Sequence, residues 1–328
     1  MNNTENLTPT GETLVYMERL SKFAYYNELN FKLSQTSRIL SNDEIEKAVL
    51  LGEIVPGDYF VLKAVAEFSW ANCEMITRAL ARMHRTEPGK AYPEPKMEIT
   101  KSRLVKLSKS SLVKGFEYMT ADGKAIKVYC ATDAGIYLLK KKLYYDGNIE
   151  TFNCLQPPEE AFRRLATNYV AQRMSYGGHN IDFIPGRWEY IQSVGKVFLY
   201  SQLFYKVDGS EHVVLVEPYY LKSNENIVAK KEMNAWITNR ITLIKKYKAL
   251  HEVSKKFSLV YVVEDKEGLK EAVNFAVNEF PDDLANIYFT SENAIFMTKK
   301  KFSYAFLKIE NVINGVPSIK ASVNLEYM

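Results

Sequence analysis

Between Lys96 and Leu143 the chain carries eleven Lys or Arg against four acids, Glu98, Glu117, Asp122 and Asp133, a local charge of +7. The whole 328-residue chain carries only +4. Long cations neutralise phosphates and release condensed counterions, and an arginine can also read a guanine edge through paired hydrogen bonds. Lys101, Ser102, Arg103, Lys106 and Lys109 fall in one short helical stretch, and Lys124 and Lys127 follow on what reads as the returning strand of a hairpin. Lys101, Arg103 and Lys106 are spaced to share an exposed face. Arg103 is the expected base contact, and the lysines are the expected phosphate contacts. A charge run is by default a solvated surface, but this one falls on the element that would have to enter a groove.

A second chemistry to weigh is metal-dependent hydrolysis, which needs converging acids and a base to steady the attacking water. The run His212-Val213-Val214-Leu215-Val216-Glu217-Pro218-Tyr219 ends with an acid, but Tyr219 stands where a lysine would be needed. Asp182 and Asp208 are candidate partner acids, and Lys222 lies too far along. One lone glutamate predicts no catalysis. Pro218 removes a backbone donor and suits an edge or a strand end, leaving Tyr219 and Tyr220 as expected aromatic contact surface. His84, His179, His212 and His251 are not at ligand spacing, and each is expected to be a surface or packing residue. Tyr176-Gly177-Gly178-His179-Asn180 lacks the lysine of a phosphate loop and reads as a turn. No Gly-x-Ser-x-Gly or Cys/His nucleophile pairing occurs. Neither metal nor cofactor is expected.

The elements that must position these residues follow from periodicity and punctuation. Residues 12–40 read as an amphipathic helical arm, and 42–55 as a short helix capped by Ser41, Asn42 or Asp43. Pro56-Gly57-Asp58 reads as a break. A helix is predicted over 59–70, with Phe60, Val61, Ala64, Val65 and Phe68 on one face, and another over 73–84, capped by Asn72. Residues 85–97 hold three prolines and read as a loop. Thr100 is the predicted cap of a third, basic helix to about residue 107. A hairpin turning at Ala121-Asp122-Gly123 follows, then a helix over 136–143. Turn residues place a linker at 146–157. Beyond it the predicted order is a helix at 159–174, strands at 187–193, 196–207 and 211–221, a helix at 226–250, a strand at 259–263, a helix at 268–280, a strand at 287–289 and further strands in the tail 294–328. That order, α-β-β-β-α-β-α-β, predicts a mixed sheet. Lys230, Lys231, Arg240, Lys245, Lys246 and Lys248 on the long helix are read as a solvated face or as an extension of the basic surface.

Leu104-Val105-Lys106-Leu107, Ser111-Leu112-Val113, then Val128-Tyr129-Cys130-Ala131-Thr132-Asp133-Ala134-Gly135 and Leu138-Leu139 together resemble the third helix, wing and closing helix of bacterial winged-helix proteins. Thr132 can cap the closing helix and Gly135 allows close packing. The resemblance covers about residues 58–143. It departs from the pattern at the 85–97 loop, since a compact helix-turn-helix joins its helices by about 3–4 residues. The later αβββαβ order resembles restriction-endonuclease-like domains, here expected to be inactive. The full layout resembles the replication-relaxation family of plasmids and conjugative elements. The expected fold class is therefore α+β and α/β, with a helical arm (1–57), a winged helix-turn-helix (58–145) and a nuclease-like domain (158–328).

What this implies is a non-enzymatic, sequence-specific double-stranded DNA-binding protein of a plasmid or mobile element, acting in replication, conjugative transfer or transcriptional control. Relaxase or replication proteins and a second copy of the chain are further candidate partners. The alternatives are a metal-dependent nuclease using Glu217, or a winged-helix protein-interaction scaffold. At 47% hydrophobic and 25% charged the composition is that of a globular protein. No run of about 18 apolar residues appears, which predicts no membrane-spanning helix. The first residues lack a signal peptide's basic and apolar regions. Cys73, Cys130 and Cys154 are odd in number and widely spaced, so neither a zinc site nor a disulfide framework is expected, and the cytoplasm is the predicted compartment.

Overall fold

Capping chemistry starts the helices of the N-terminal half. The Ser41 hydroxyl accepts the Glu44 amide at 3.3 Å and the Glu44 carboxylate accepts the Ser41 amide at 2.9 Å, a reciprocal cap that begins α1 (Asn42–Leu50). Helix α2 (Pro56–Phe68) starts with proline, whose missing N–H has no partner at a first turn in any case. Residues 56–58, predicted as a break, are thus that helix's opening turn. The chain leaves α2 through Ser69, at φ 62°, and the buried Trp70. It passes β2 (Ala71–Asn72) and enters α3 (Cys73–Thr86), where Asn72 Oδ1 accepts the Met75 amide at 2.9 Å as its sequence predicts.

Helix α4 (Met97–Lys109) starts ahead of its predicted cap. Thr100 lies inside the helix, fully buried, and its hydroxyl accepts a 3.0 Å hydrogen bond from Thr77 of α3. A hydroxyl that sequence reads as a cap is here a bond between two crossing helices. Strands β3 (Val113–Met119) and β4 (Ala125–Ala131) form an antiparallel hairpin, and α5 (Asp133–Leu143) closes the segment. Thr132 Oγ1 accepts the Gly135 amide at 3.2 Å and donates to the Ser111 carbonyl at 2.7 Å. A Cβ on Gly135 would lie 2.3 Å from the Leu112 carbonyl oxygen, so only glycine fits there.

The hairpin is the centre of a four-stranded sheet. Strand β1 (Phe31–Leu33) pairs antiparallel with β3 and β2 pairs with β4, giving the order β1-β3-β4-β2. Residues 31–33 fall inside the predicted helix 12–40 and are a strand instead. The open edge of β3 supplies backbone partners that outweigh a local helical pattern.

A computed structural model describes residues 14, 17, 31–33, 41–87, 92–119, 124–145, 158–177, 181–192, 194–219, 227–251, 254–297, 305–313 and 315–321. The chain forms two compact units, residues 25–165, and residues 1–24 together with 166–328. The boundary falls within α6 (Pro158–Gly177), and the predicted linker 146–157 lies outside the described residues. The expected arm, 1–57, does not behave as one piece: β1 belongs to the first unit's sheet, and the fully buried Met17 belongs to the core of the second unit.

The second unit is built on a seven-stranded mixed sheet. Its strands are β5 (Asp182–Ile184), β8 (Ser201–Val207), β9 (Ser210–Tyr219), β10 (Lys256–Val263), β11 (Ile287–Thr290), β12 (Leu307–Ile313) and β13 (Val316–Ala321), in the order β13-β12-β11-β10-β9-β8-β5. Strands β9, β10 and β11 are parallel and the other pairings are antiparallel. A separate hairpin, β6 (Arg187–Ile191) with β7 (Gly195–Leu199), splits the single strand predicted over 196–207. Helix α7 (Ile227–His251) connects β9 to β10, and α8 (Lys266–Glu279) connects β10 to β11. The tail is not all strand, since α9 (Glu292–Met297) precedes β12. Strands β9 and β10 are buried on both faces, the physical reason their sequences read as continuous apolar runs. Val213, Leu215, Leu259, Tyr261 and Phe289 pack with Leu243, Ile244 and Tyr247 of α7 and with Leu269 and Ala272 of α8.

The protein is thus of mixed α and β class, as predicted, and no helix among the described residues is long and apolar enough to cross a membrane. The expectation of no disulfide also fails. Cys73 is free but Cys130 is disulfide-bonded.

Candidate nucleic-acid interface

Helix α4 decides which cations are presented. Thr100, Leu104, Leu107 and Ser108 are buried, whereas Glu98, Lys101, Ser102, Val105 and Lys109 are exposed. The buried residues recur at helical spacing and fix the rotation of the helix about its axis. Lys101, Val105 and Lys109, each four residues apart, therefore run as a stripe along the open side. Neither Lys101 nor Lys109 is ion-paired to another described residue, and Glu98 is the acid on the exposed side of α4.

Arg103 and Lys106 go elsewhere. Arg103 Nη1 donates to Asp58 Oδ1 at 2.6 Å and Lys106 Nζ donates to Asp58 Oδ2 at 2.7 Å. Asp58 is fully buried and also accepts the Val55 amide at 3.0 Å. The N-terminus of a helix favours an anion and opposes cations. Asp58, at the third position of α2, is therefore the group that lets two cations rest against that helix end. Gly57 is part of the fit: a Cβ there would lie 3.0 Å from the Arg103 guanidinium. An open cleft of about 450 Å³ between the first turn of α2 and α4 leaves Arg103 and Lys106 partly solvated. The sequence selected Arg103 as the base-reading residue. In the fold its guanidinium is committed to Asp58, 45 positions earlier, and no short-range pattern contains that partner.

On the hairpin, Lys124 is exposed immediately before β4. Lys127 sits across from Glu117 in the strand register, at 3.6 Å, with both side chains largely solvated. The structure thus brings Lys101, Ser102 and Lys109 to one open helix face, sets Lys124 and Lys127 on the hairpin that follows, and withdraws Arg103 and Lys106 toward α2. Of the lysines of α5, Lys140 and Lys142 are exposed while Lys141 is bonded to Glu46. That hydrogen bond, aided by one from Tyr137, holds the Glu46 carboxyl below its ordinary range.

The long 85–97 connection also finds its place. Tyr92 packs edge-on against Phe60 of α2 at 4.4 Å and lies 5.5 Å from the His84 ring. His84 Nε2 donates to the Pro93 carbonyl at 2.8 Å. Aromatic contacts pin the described part of this loop to the helices, and residues 88–91 lie outside the described residues.

Glu217 is buried at the end of β9. Arg240 of α7 holds it with two hydrogen bonds, Nε to Oε2 at 2.9 Å and Nη2 to Oε1. The same guanidinium donates to the Phe198 carbonyl at 2.6 Å and lies 4.8 Å over the Tyr200 ring. Asp208 is in the turn at the other end of β9, nine residues away, or roughly 30 Å along an extended strand. Asp182 is exposed on the edge strand β5. The three acids do not converge, and no cluster of three metal-ligating side chains occurs among the described residues. Strand β9 is central rather than an edge, so Pro218 is accommodated by its place next to the strand's last residue. Tyr219, expected as contact surface, is buried in the core against Tyr261 and Phe275, and Tyr220 lies outside the described residues.

The described histidines lie against aromatic rings. His212 stacks on Tyr205 at 4.8 Å and His251 lies 4.5 Å from the Tyr247 ring. Burial pushes the pKa of both imidazoles below the ordinary value. Val105, an apolar member of the 104–107 run, is turned outward by the rotation that Leu104 and Leu107 fix.

No protein-family model matches this chain. No curated protein matches it either.

Proposed function

We propose that this chain is a double-stranded DNA-binding protein whose first unit is a winged helix. In this reading α4 enters the major groove and the β3–β4 hairpin is the wing. The observation that carries the proposal is the open face of α4, where Lys101, Ser102 and Lys109 stand clear of the core beside a hairpin bearing Lys124 and Lys127. The element order supports it: a helix (α2), a short strand (β2) on the hairpin's edge, two helices tied through Thr77 and Thr100, the hairpin, and a closing helix. Lysines contact phosphates on this reading, while Arg103 and Lys106 act as struts that set the angle between α2 and α4.

The second unit we read as a restriction-endonuclease-like core that does not cut. Three antiparallel strands, β5, β8 and β9, followed by a helical crossover to the parallel β10, support that reading of topology. The commitment of Glu217 to Arg240 supports the loss of chemistry, as does the neighbouring strand β8, which carries no acid. A role in replication, transfer or transcription of a plasmid or mobile element is the biological setting that the sequence resemblance implies.

Direct binding to duplex DNA, measured by fluorescence anisotropy across a salt series, tests the reading. The four phosphate contacts of this reading, Lys101, Lys109, Lys124 and Lys127, make affinity fall by about 10² between about 50 and 200 mM salt. Absence of binding at low salt, or equal binding at both ends of the series, refutes it.

A further inference from the structure

The open face of α4 has an apolar residue at its middle. Val105 is 44% exposed and lies one turn from Lys101 and one turn from Lys109. The core has no need of it, because Leu104 and Leu107 fill that side. The arginine best suited to reading guanine is bonded to buried Asp58. A helix lying in the major groove with this face inward therefore brings a branched apolar side chain, not a guanidinium, to the base edges, with a cation on either side to fix it against phosphates. The major groove offers an apolar side chain one matching group, the C5 methyl of thymine.

We propose that Val105 is the specificity-determining residue of this interface and that it reads thymine methyl groups in a B-form duplex. The inference rests on the duplex-binding reading given above. Ser102, exposed next to it, can donate to or accept from a base edge, and Glu98 can accept from the amino group of cytosine. The face accordingly favours a pyrimidine-bearing edge. Arg103 is a positioning residue on this view, acting through Asp58 and α2.

Duplexes selected by the full chain from a randomised pool supply the test. Each thymine of the selected site is replaced in turn by deoxyuridine, which keeps the base pair and removes only the methyl group. At one or two positions deoxyuridine is expected to weaken binding about fourfold, the effect of one buried methyl. Val105→Ala is expected to bring the thymine-to-deoxyuridine ratio at those positions to about one. Val105→Thr, which keeps a methyl, is expected to preserve most of it, and Lys101→Ala is expected to weaken both duplexes alike. As an exposed residue, Val105 can be replaced without loss of fold, checked by an unchanged melting temperature. A ratio that survives Val105→Ala assigns the methyl effect to DNA shape and overturns the proposal, as does a site insensitive to deoxyuridine throughout. Absence of any duplex binding overturns the DNA reading itself, a separate and recognisable outcome.

Discussion

Helices α4 and α7 are both basic in sequence, and the fold treats their cations in opposite ways. On α4, Lys101 and Lys109 face outward with no acid bonded to them among the described residues. On α7, Arg240 is bonded to Glu217, Lys245 lies 3.6 Å from Glu279, and Lys248 is bonded to Asp283. Each helix also serves one buried carboxylate. Asp58 takes Arg103 and Lys106 from α4, and both remain partly solvated at the edge of a cleft. Glu217 takes Arg240 from α7, and that pair is enclosed beneath the Tyr200 ring. Charge count therefore says little about a binding surface. What matters is whether acids from neighbouring elements meet the cations first.

The comparison breaks most visibly at Arg240. Arg240→Ala removes the guanidinium that holds the buried Glu217, and loss of about 3–5 kcal/mol is expected in urea denaturation of the full chain. Replacing both residues by apolar ones of similar volume, Glu217→Leu with Arg240→Met, is expected to recover much of that loss. Nicking of supercoiled plasmid with Mg²⁺ or Mn²⁺ by the wild-type protein, absent in Glu217→Ala, would instead make Glu217 catalytic and end the view of this pair as a structural bond.

Asp58 sharpens the contrast. Asp58→Asn leaves two cations that can turn to water, so the cost is expected to be smaller, about 1–3 kcal/mol by the same denaturation measurement. Duplex affinity is expected to fall, because Arg103 and Lys106 no longer set the angle between α2 and α4. An unchanged or raised affinity in a still-folded variant would mean that the Asp58 bonds do not set the geometry of the binding face.

The smallest effects separate the two lysine sets. Lys101→Ala and Lys109→Ala are each expected to lower the slope of log affinity against log salt by about 1, with little change in stability. Lys245→Ala and Lys248→Ala are expected to leave that slope unchanged. Equal reductions from both helices would extend the interface to α7 and remove the distinction.

Much of the local structure was legible in the chain. Asn72 and Thr132 announce their helices because a cap is satisfied by an amide within three residues. Gly135 could be read as a close-packing position, and the apolar runs at 213–216 and 259–263 as strands buried on both faces. The sequence by itself determined these because their partners lie within a few residues, or because burial on two faces leaves no room for polar side chains. Tertiary structure alone decided the rest. Residues 31–33 became a strand because β3 offered an edge, Thr100 exchanged a capping role for a bond to Thr77, and Tyr219 turned into the core. The same holds for the candidate interface. Arg103 was withdrawn by an aspartate 45 residues away, and Val105 was turned outward by the rotation that Leu104 and Leu107 impose. Spacing along a helix fixes which residues share a face. Which face meets water is fixed by what packs against the helix, and that contact comes from distant parts of the chain.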